Sequence, residues 1–130
     1  LAAIKVTFPG GILFPTNGTT LSASAQTELA QFAASLKQNP ETNVQIFGFT
    51  DNTGGMEVNT RIANGRALSV DRFLVDSGIA PTRLSYQGIP MADYVASNDT
   101  PAGRAQNRRV EIYITANQQM IQQAEQGTLK

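Results

Sequence analysis

The sequence predicts an α+β fold, a two-layer sandwich in which helices pack on one face of a mixed β-sheet. Apolar and polar residues alternate in four short segments, and apolar residues recur at helical spacing in two longer ones. The predicted order is strand, helix, strand, helix, strand, strand (βαβαββ), which suits two layers around one core. Residues 1–130 are predicted to form a single domain, with a core from about 4 to 115 and a Gln-rich C-terminal tail over 116–130.

The first segments alternate as a strand does and then change to a helical period. Ile4–Phe8 predicts a strand, and Ile12–Phe14 resumes the same alternation after a Pro-Gly-Gly break, which indicates a longer strand or a hairpin. Ser22 or Ser24 is the expected N-cap of the first helix. The helix is predicted to end at Asn39-Pro40, with Ala25, Leu29, Phe32, Ala33 and Leu36 facing the core.

The remaining elements follow from the same two periods. Asn43–Phe49 reads as a central strand, and Met56–Ser77 as a long helix that Gly78 ends. Arg83–Gln87 predicts a third strand and Arg108–Thr115 a final one. Between them, residues 88–103 show no pattern, and a loop of that length is typical of a binding rim or a flap.

Composition excludes several classes of function. Ten Lys and Arg residues balance ten Asp and Glu residues, so no excess positive charge attracts nucleic acid. The chain has neither His nor Cys, which removes Ser-His-Asp and Cys-His nucleophiles and the common zinc sites. We expect no catalytic residues, no metal and no cofactor. No apolar run approaches the ~20 residues that span a bilayer, so we expect no direct membrane insertion by this domain.

Three polar residues stand out at the start of the long helix. Asp51 lies in the turn before it, while Asn59 and Arg66 fall in the middle of its apolar stripe, two turns apart. The stripe otherwise contains Val58, Ile62, Val70, Phe73 and Leu74. In one interpretation Asp51 caps the helix and Arg66 pairs with it or reaches the edge of the core. In the other, acid, amide and guanidinium form a small pocket for a zwitterion, with an ammonium facing Asp51 and a carboxylate facing Arg66.

Two separated motifs give the chain a resemblance to a known family. The motif residues are Gly48-Phe49-Thr50-Asp51, Gly54, Asn59, Arg66-Ala67 and Val70, followed by Gly103-Arg104-Ala105-Gln106-Asn107-Arg108-Arg109-Val110-Glu111-Ile112. In order and spacing the chain resembles the OmpA-like peptidoglycan-binding domain from about residue 14 to residue 114. It departs from the common pattern at three places: at Phe49, where His is frequent; at Ile62-Ala63, where Leu-Ser is usual; and at Ser85–Pro90, where Gly-Tyr-Gly-Glu is common.

The resemblance implies a ligand and a set of binding residues. In the family, the site holds the meso-diaminopimelate residue of the peptidoglycan stem peptide, whose free end carries an ammonium and a carboxylate on one carbon. Carried over by position, Arg66 would bind the carboxylate through its planar fork. Asp51 would receive the ammonium and Asn59 would assist. Thr50 is a further candidate, and Phe49 and Asn17 are candidates for the rim.

A second cluster is predicted to support the site rather than to touch the ligand. Asn107 is expected to fasten the preceding loop, and Arg108 and Arg109 to form ion pairs that hold the last strand. Because successive strand residues point to opposite faces, Arg108 and Arg109 cannot both reach one pocket.

The function implied is non-covalent anchoring of the outer membrane, or of an envelope protein, to the cell wall. The domain would lie in the periplasm, tethered to the outer membrane by a part of the protein outside this chain, which begins at Leu1 and is expected to be a mature or excised fragment. Two alternatives remain. An enzyme would need a second carboxylate beside Asp51, and Glu57 points away from Arg66 by helical angle. An assembly module would use the 88–103 loop or the tail to bind other envelope proteins.

Overall fold

The structure, a computed structural model, describes residues 3–116 and shows a four-stranded mixed sheet with helices packed on it. The predicted α+β class is confirmed. The elements are β1 (Ile4–Pro9), α1 (Gly10–Leu13), α2 (Ala23–Gln38), β2 (Thr42–Phe49), α3 (Met56–Asp76), β3 (Leu84–Ile89), α4 (Pro101–Asn107) and β4 (Arg109–Ala116), with a 3₁₀ turn over Pro81–Arg83. The expected Gln-rich tail lies outside the described residues, apart from Ala116.

The last strand occupies an inner position in the sheet. The strand order is β1-β4-β2-β3, and β4 is antiparallel to both of its neighbours. β2 and β3 are parallel, since the long helix α3 connects them. The end of β2 and the start of β4 therefore lie side by side, with Phe49 opposite Arg109.

The helices cover one face of the sheet, and the main core lies in that interface. Alternate residues of the two inner strands are buried there: Val44, Ile46, Val110 and Ile112. They meet Leu29, Ala33, Leu36, Ala67, Val70 and Leu74 of α2 and α3. Gly48 allows α3 to pack closely, because a Cβ at that position would lie 2.4 Å from the carbonyl oxygen of Ala63.

Three local predictions were wrong. Ile12–Phe14 does not continue a strand, because Gly10–Leu13 forms the short helix α1. The segment 88–103 is not patternless throughout: β3 extends to Ile89, and α4 begins at Pro101, where the Thr100 hydroxyl accepts a hydrogen bond from the Gly103 N–H at 3.0 Å. Val58 is not in the buried stripe of α3, since 46% of its surface is exposed.

The capping residue of the first long helix is Ser22. Its Oγ accepts a hydrogen bond from the Ala25 N–H at 3.1 Å and donates to the Ile12 carbonyl at 2.8 Å. One hydroxyl therefore starts α2 and ties it to α1. This contact helps to place the 14–19 segment, which borders the site described next.

Candidate binding site

An open cavity of about 530 Å³ lies where β2 gives way to α3. Its walls come from four parts of the chain: the 10–17 segment, the turn after β2, the first three turns of α3, and the start of β4. The lining residues are Gly10, Gly11, Phe14, Pro15, Thr16, Asn17, Thr50, Asp51, Thr53, Val58, Asn59, Ile62, Arg66 and Arg108.

Asp51 is buried in this cavity and is paired with Arg108. Its Oδ1 accepts a hydrogen bond from the Thr53 N–H at 2.8 Å, and its Oδ2 accepts one from Arg108 Nη1 at 2.5 Å. Burial raises the pKa of the Asp51 carboxyl, but the hydrogen bonds from Thr53 and Arg108 outweigh burial, so its pKa lies below the usual value. Asp51 therefore remains an anion at neutral pH.

The interpretation in which Asp51 caps the helix and pairs with Arg66 was wrong. The N-cap of α3 is Gly55, which makes no side-chain capping bond. Within the described residues, the two ion pairs are Arg108 with Asp51 and Arg109 with Glu111.

Arg66 is held by the segment that precedes α2. Its Nε donates to the Gly18 carbonyl at 2.9 Å and its Nη2 to the Pro15 carbonyl at 3.3 Å, while the guanidinium carbon lies 5.0 Å from the centre of the Phe14 ring. Burial lowers the pKa of the Arg66 guanidinium and Arg108 lowers it further, whereas Asp51 acts in the opposite direction. The group stays charged, since arginine does not lose its proton in proteins.

One nitrogen of Arg66 has no hydrogen-bond acceptor among the described residues. Nη1 donates to no acceptor within residues 3–116, and the described residues include no buried side-chain nitrogen or oxygen that lacks a hydrogen-bond partner. Nη1 must therefore be accessible, and the cavity is the opening that Arg66 borders.

Asn59 supplies a free acceptor in the same cavity. Its Nδ2 donates to the Thr53 carbonyl at 2.7 Å and to the Gly55 carbonyl at 2.9 Å, which fixes the turn before α3. Its Oδ1 has no donor among the described residues and, by the same reasoning as for Arg66 Nη1, is accessible. A donor such as an ammonium could approach it.

The other three predicted ligand residues differ in their placement. Thr50 borders the cavity, but its hydroxyl is occupied, since it donates to the Asp51 carbonyl at 3.0 Å and accepts from the Met91 N–H at 2.8 Å. Asn17 borders the cavity with an exposed side chain and a φ of 56°. Phe49 does not line the cavity and is corrected as a rim residue: its ring lies on the helix-free face of the sheet, 3.8 Å from the guanidinium of Arg109.

The two consecutive arginines point to opposite sides of the sheet. Arg108 borders the cavity and forms the ion pair that was expected of it, with Asp51 as its partner, and its side chain is 41% exposed. Arg109 lies on the other face, where Nε donates to Glu111 at 2.6 Å and the two terminal nitrogens donate to the carbonyls of Asn107 and Asp93.

Asn107 organises the loop before α4. Its Oδ1 accepts from the N–H groups of Val95 and Ala96, and its Nδ2 donates to the Ala96 carbonyl and to Asn98 Oδ1. The residue is completely buried. It lies next to Arg108 in sequence and therefore fixes the chain where Arg108 enters the cavity.

Sequence reasoning missed two contributions to the site. It did not place Arg108 in the cavity, although the strand alternation indicated that only one of the two arginines could face it. It also missed the 10–18 segment, which holds Arg66 through backbone carbonyls and therefore leaves no side-chain motif.

The charges of the cavity do not cancel. Its lining includes two guanidinium groups, of Arg66 and Arg108, and one carboxylate, of Asp51. One positive charge is left over within a partly desolvated space, which favours an anion.

Residues 3–116 contain no group of three acidic side chains that could hold a metal ion, and no helix in that range is long and apolar enough to cross a membrane.

Known proteins are similar to this chain over most of its length. A model of the OmpA family matches residues 13–108. The probable lipoprotein YiaD of Escherichia coli (strain K12) is 38% identical over 112 residues, 86% of this chain and 51% of YiaD. The peptidoglycan-binding protein ArfA of Mycobacterium tuberculosis (strain ATCC 25618 / H37Rv) is 38% identical over 113 residues, 87% of this chain and 35% of ArfA.

A solved structure shows the same fold. The cell wall anchor of the T6SS from Pseudomonas aeruginosa superimposes with a TM-score of 0.81 at 28% identity, covering 88% of this chain and 82% of that one. The chain spans about half of YiaD and about a third of ArfA.

Proposed function

This chain belongs to the OmpA family, and from that premise we propose that it binds peptidoglycan without a covalent bond, through the free end of a meso-diaminopimelate residue in the stem peptide. The domain would anchor the outer membrane, or an envelope protein, to the cell wall. It would lie in the periplasm, tethered to the outer membrane by a part of the protein outside this chain. The names of ArfA and of the Pseudomonas aeruginosa cell wall anchor support this proposal.

The observation that carries the proposal is the pair of unused polar atoms in a cavity with a surplus positive charge. Arg66 Nη1 is an accessible donor without an acceptor, and Asn59 Oδ1 is an accessible acceptor without a donor. A ligand group with a carboxylate and an ammonium on one carbon would satisfy both. Because Asp51 already pairs with Arg108, the ligand carboxylate would be the counterion of Arg66.

The ammonium would face Asn59 and Asp51 together. Each Asp51 oxygen already accepts one hydrogen bond, from Thr53 or Arg108, and each retains a further lone pair. Asp51 can therefore attract the ammonium while it stays paired with Arg108. Positive and negative groups would then alternate in the order Arg66, ligand carboxylate, ligand ammonium, Asp51 and Arg108. Asn17 and the apolar surface of Val58 would border the rest of the stem peptide.

Selectivity follows from the unpaired guanidinium. A stem peptide with lysine in place of diaminopimelate offers the ammonium but no carboxylate, so binding it would cover Arg66 without supplying a counterion. Leaving a buried charge without its partner costs about 3 to 5 kcal/mol. We expect the lysine peptide to bind at least about a hundredfold more weakly, since every 1.4 kcal/mol is about tenfold.

Isothermal titration calorimetry tests this proposal. The tripeptide L-Ala-γ-D-Glu-meso-diaminopimelate and its L-lysine counterpart would be titrated separately into the protein at neutral pH. Binding of the first with little or no binding of the second is expected. Equal affinity for the two peptides would contradict the assignment of Arg66 to the carboxylate.

Two further points define the proposal. We propose binding without cleavage, because Asp51 is the single carboxylate among the cavity-lining residues and Glu57, on the outer side of α3, is exposed.

If neither peptide binds, assembly with other envelope proteins becomes the leading function. The loop after β3 exposes Tyr94 and Val95, 40% and 57% accessible, which a protein partner could cover.

A further inference from the structure

Gly10 connects the two arginines of the cavity. It is the first residue of α1 and is buried, and its N–H donates to the carbonyl oxygen of Arg108 at 2.8 Å. Its Cα also faces Arg66: a Cβ built at this position would lie 3.2 Å from Arg66 Nη1, the same nitrogen that has no acceptor. Gly10 therefore donates a hydrogen bond to the backbone of one arginine and, because it has no side chain, leaves space for the free side-chain nitrogen of the other.

Space, and not backbone conformation, requires glycine at this position. Among the described glycines, those with positive φ are Gly54 and Gly78, so Gly10 has a backbone that alanine can adopt. A Cβ at Gly10 would, however, lie 2.8 Å from the Arg108 carbonyl oxygen. This oxygen is part of the main chain and already accepts the Gly10 N–H, so it can move little. The added methyl group would therefore strain the contact between Gly10 and the Arg108 main chain, and it would also press the end of the Arg66 side chain away, since it would lie 3.2 Å from Nη1.

We propose that Gly10 is a specificity-determining positioning residue: by lacking a side chain, it lets Arg66 Nη1 stand beside the start of β4, where it selects a ligand carboxylate over a carboxamide. This inference rests on the proposed function and deepens it, because it names the chemical form of diaminopimelate that the site accepts. The free carboxylate is the preferred ligand, and the amidated form binds more weakly.

The physical reason for the discrimination is charge. A carboxylate offers acceptors only and neutralises the surplus positive charge shared by Arg66 and Arg108, whereas a carboxamide brings N–H donors toward guanidinium donors and leaves that charge in place. A guanidinium can also donate two parallel hydrogen bonds to a carboxylate, whereas a carboxamide offers a single acceptor oxygen and no counter-charge. Displacement of Nη1 should therefore weaken binding of the carboxylate more than binding of the amide.

The chain offers a matched control for this experiment. Gly55 is exposed and does not line the cavity, and a Cβ at Gly55 would meet nothing within 4 Å. Gly55→Ala thus adds the same methyl group without touching either arginine. The probes are L-Ala-γ-D-Glu-meso-diaminopimelate with its free side-chain carboxylate and the same tripeptide amidated at that carboxylate.

Calorimetric titration of the unmodified chain, Gly10→Ala and Gly55→Ala with both tripeptides tests the inference. We expect the unmodified chain and Gly55→Ala to prefer the carboxylate by about ten- to hundredfold, the equivalent of one charge-assisted hydrogen bond. In Gly10→Ala the preference should fall several-fold, because affinity for the carboxylate drops while affinity for the amide changes little. Circular dichroism would establish that each variant is folded.

The outcomes separate this inference from the proposed function. If the unmodified chain binds neither tripeptide, the proposed function fails, and this inference fails with it. If the unmodified chain binds the carboxylate but Gly10→Ala keeps the full preference, only the inference is overturned. A Gly10→Ala variant that loses affinity for both tripeptides equally, or that does not fold, would make Gly10 a purely structural residue and would overturn it too.

Discussion

Asp51 Oδ2 lies 2.5 Å from Nη1 of Arg108, a residue 57 positions later in the chain. Asp51, just after β2, is therefore paired with Arg108, the residue immediately before β4, and not with Arg66 on the adjacent helix. Arg66 instead binds two backbone carbonyls and keeps one nitrogen free. Substitution of Asp51 should therefore affect the ion pair with Arg108, whereas substitution of Arg66 should affect the contacts with the Pro15 and Gly18 carbonyls and the free nitrogen.

Removal of the Arg66 side chain should abolish binding of the diaminopimelate tripeptide. In Arg66→Ala the carboxylate loses its donor, and the Gly18 and Pro15 carbonyls lose their partner, so we also expect a loss of about 1 to 3 kcal/mol in the free energy of unfolding. Calorimetry and urea unfolding measure the two effects. Arg61→Ala, an exposed position on the same helix, is the control. Undiminished affinity in Arg66→Ala would refute the assigned role.

The charge of Asp51 should make stability depend on pH in acid. Because the pKa of Asp51 is lowered on folding from the ordinary value of 3.8, its contribution is fully present above about pH 4 and is lost as the pH falls through the lower, folded-state pKa. Asp51→Asn should cost about 1 kcal/mol at pH 7, a modest value because the partner Arg108 is partly exposed. The difference from the unmodified chain should shrink below pH 4.

Urea unfolding at pH 7 and at pH 3 would measure this difference. Glu28→Gln, at an exposed position with no ion pair among the described residues, should leave the pH dependence unchanged. A destabilisation of Asp51→Asn that is equally large at both pH values would show that the charge is not responsible. Glu111 also has a lowered pKa, so the unmodified chain should still lose stability in acid when Asp51 is replaced.

Asn107→Ala should release the loop that precedes α4. Four hydrogen bonds to residues 95–98 are lost, and the N–H groups of Val95 and Ala96 and the carbonyl of Ala96 lose their partner, which should cost about 2 to 4 kcal/mol. Amide hydrogen exchange at Val95 and Ala96 should accelerate by a larger factor than elsewhere in the fold. Gln106→Ala, at the exposed neighbouring position, is expected to leave both amides protected. Unchanged exchange at Val95 and Ala96 in Asn107→Ala would contradict the role of Asn107.

Replacing one member of the Arg109–Glu111 pair, on the helix-free face of the sheet, should strongly destabilise the fold. Replacing both members with apolar residues should destabilise it less than the sum of the two single substitutions. Both side chains are about 5% exposed, and Glu111 also accepts a hydrogen bond from the Tyr113 hydroxyl at 2.9 Å. Glu111→Leu alone leaves a buried guanidinium without its anion and should cost about 3 to 5 kcal/mol. The double variant Arg109→Met with Glu111→Leu should be less destabilised than the sum of the single variants. Additive effects in this double-mutant cycle would show that the pair is not coupled.

The elements that the sequence predicted well are those that local pattern decides. The stripe of α2 follows a 3.6-residue period, and four of its five predicted core residues are buried, with Phe32 partly so. Strand alternation likewise separated Arg108 from Arg109. The same rule places Phe49 on the face of Arg109, so its assignment to the rim conflicted with information that the sequence contained.

The parts that could not be predicted depend on contacts between distant segments. Nothing near Asp51 in sequence indicates that Arg108 is its partner, and nothing in the apolar stripe of α3 indicates that Arg66 would bind the carbonyls of Pro15 and Gly18. The failure at Val58 has a related cause. Helical periodicity locates a face, but only the tertiary fold shows that the first turn of α3 extends past the sheet to the mouth of the cavity.

The inner position of β4 has a consequence for how the site is acquired. Among the described strands β1 pairs only with β4, in a register that places Ile4 opposite Ile114. Arg108 immediately precedes β4, and it supplies both the side chain that borders the cavity and the carbonyl that accepts the Gly10 N–H. Contacts that close so long a loop form slowly. A chain shortened before residue 108 would lack both the partner of Asp51 and the strand to which β1 pairs. The cavity and the sheet therefore depend on the same late segment of the chain, and a truncated domain would have neither.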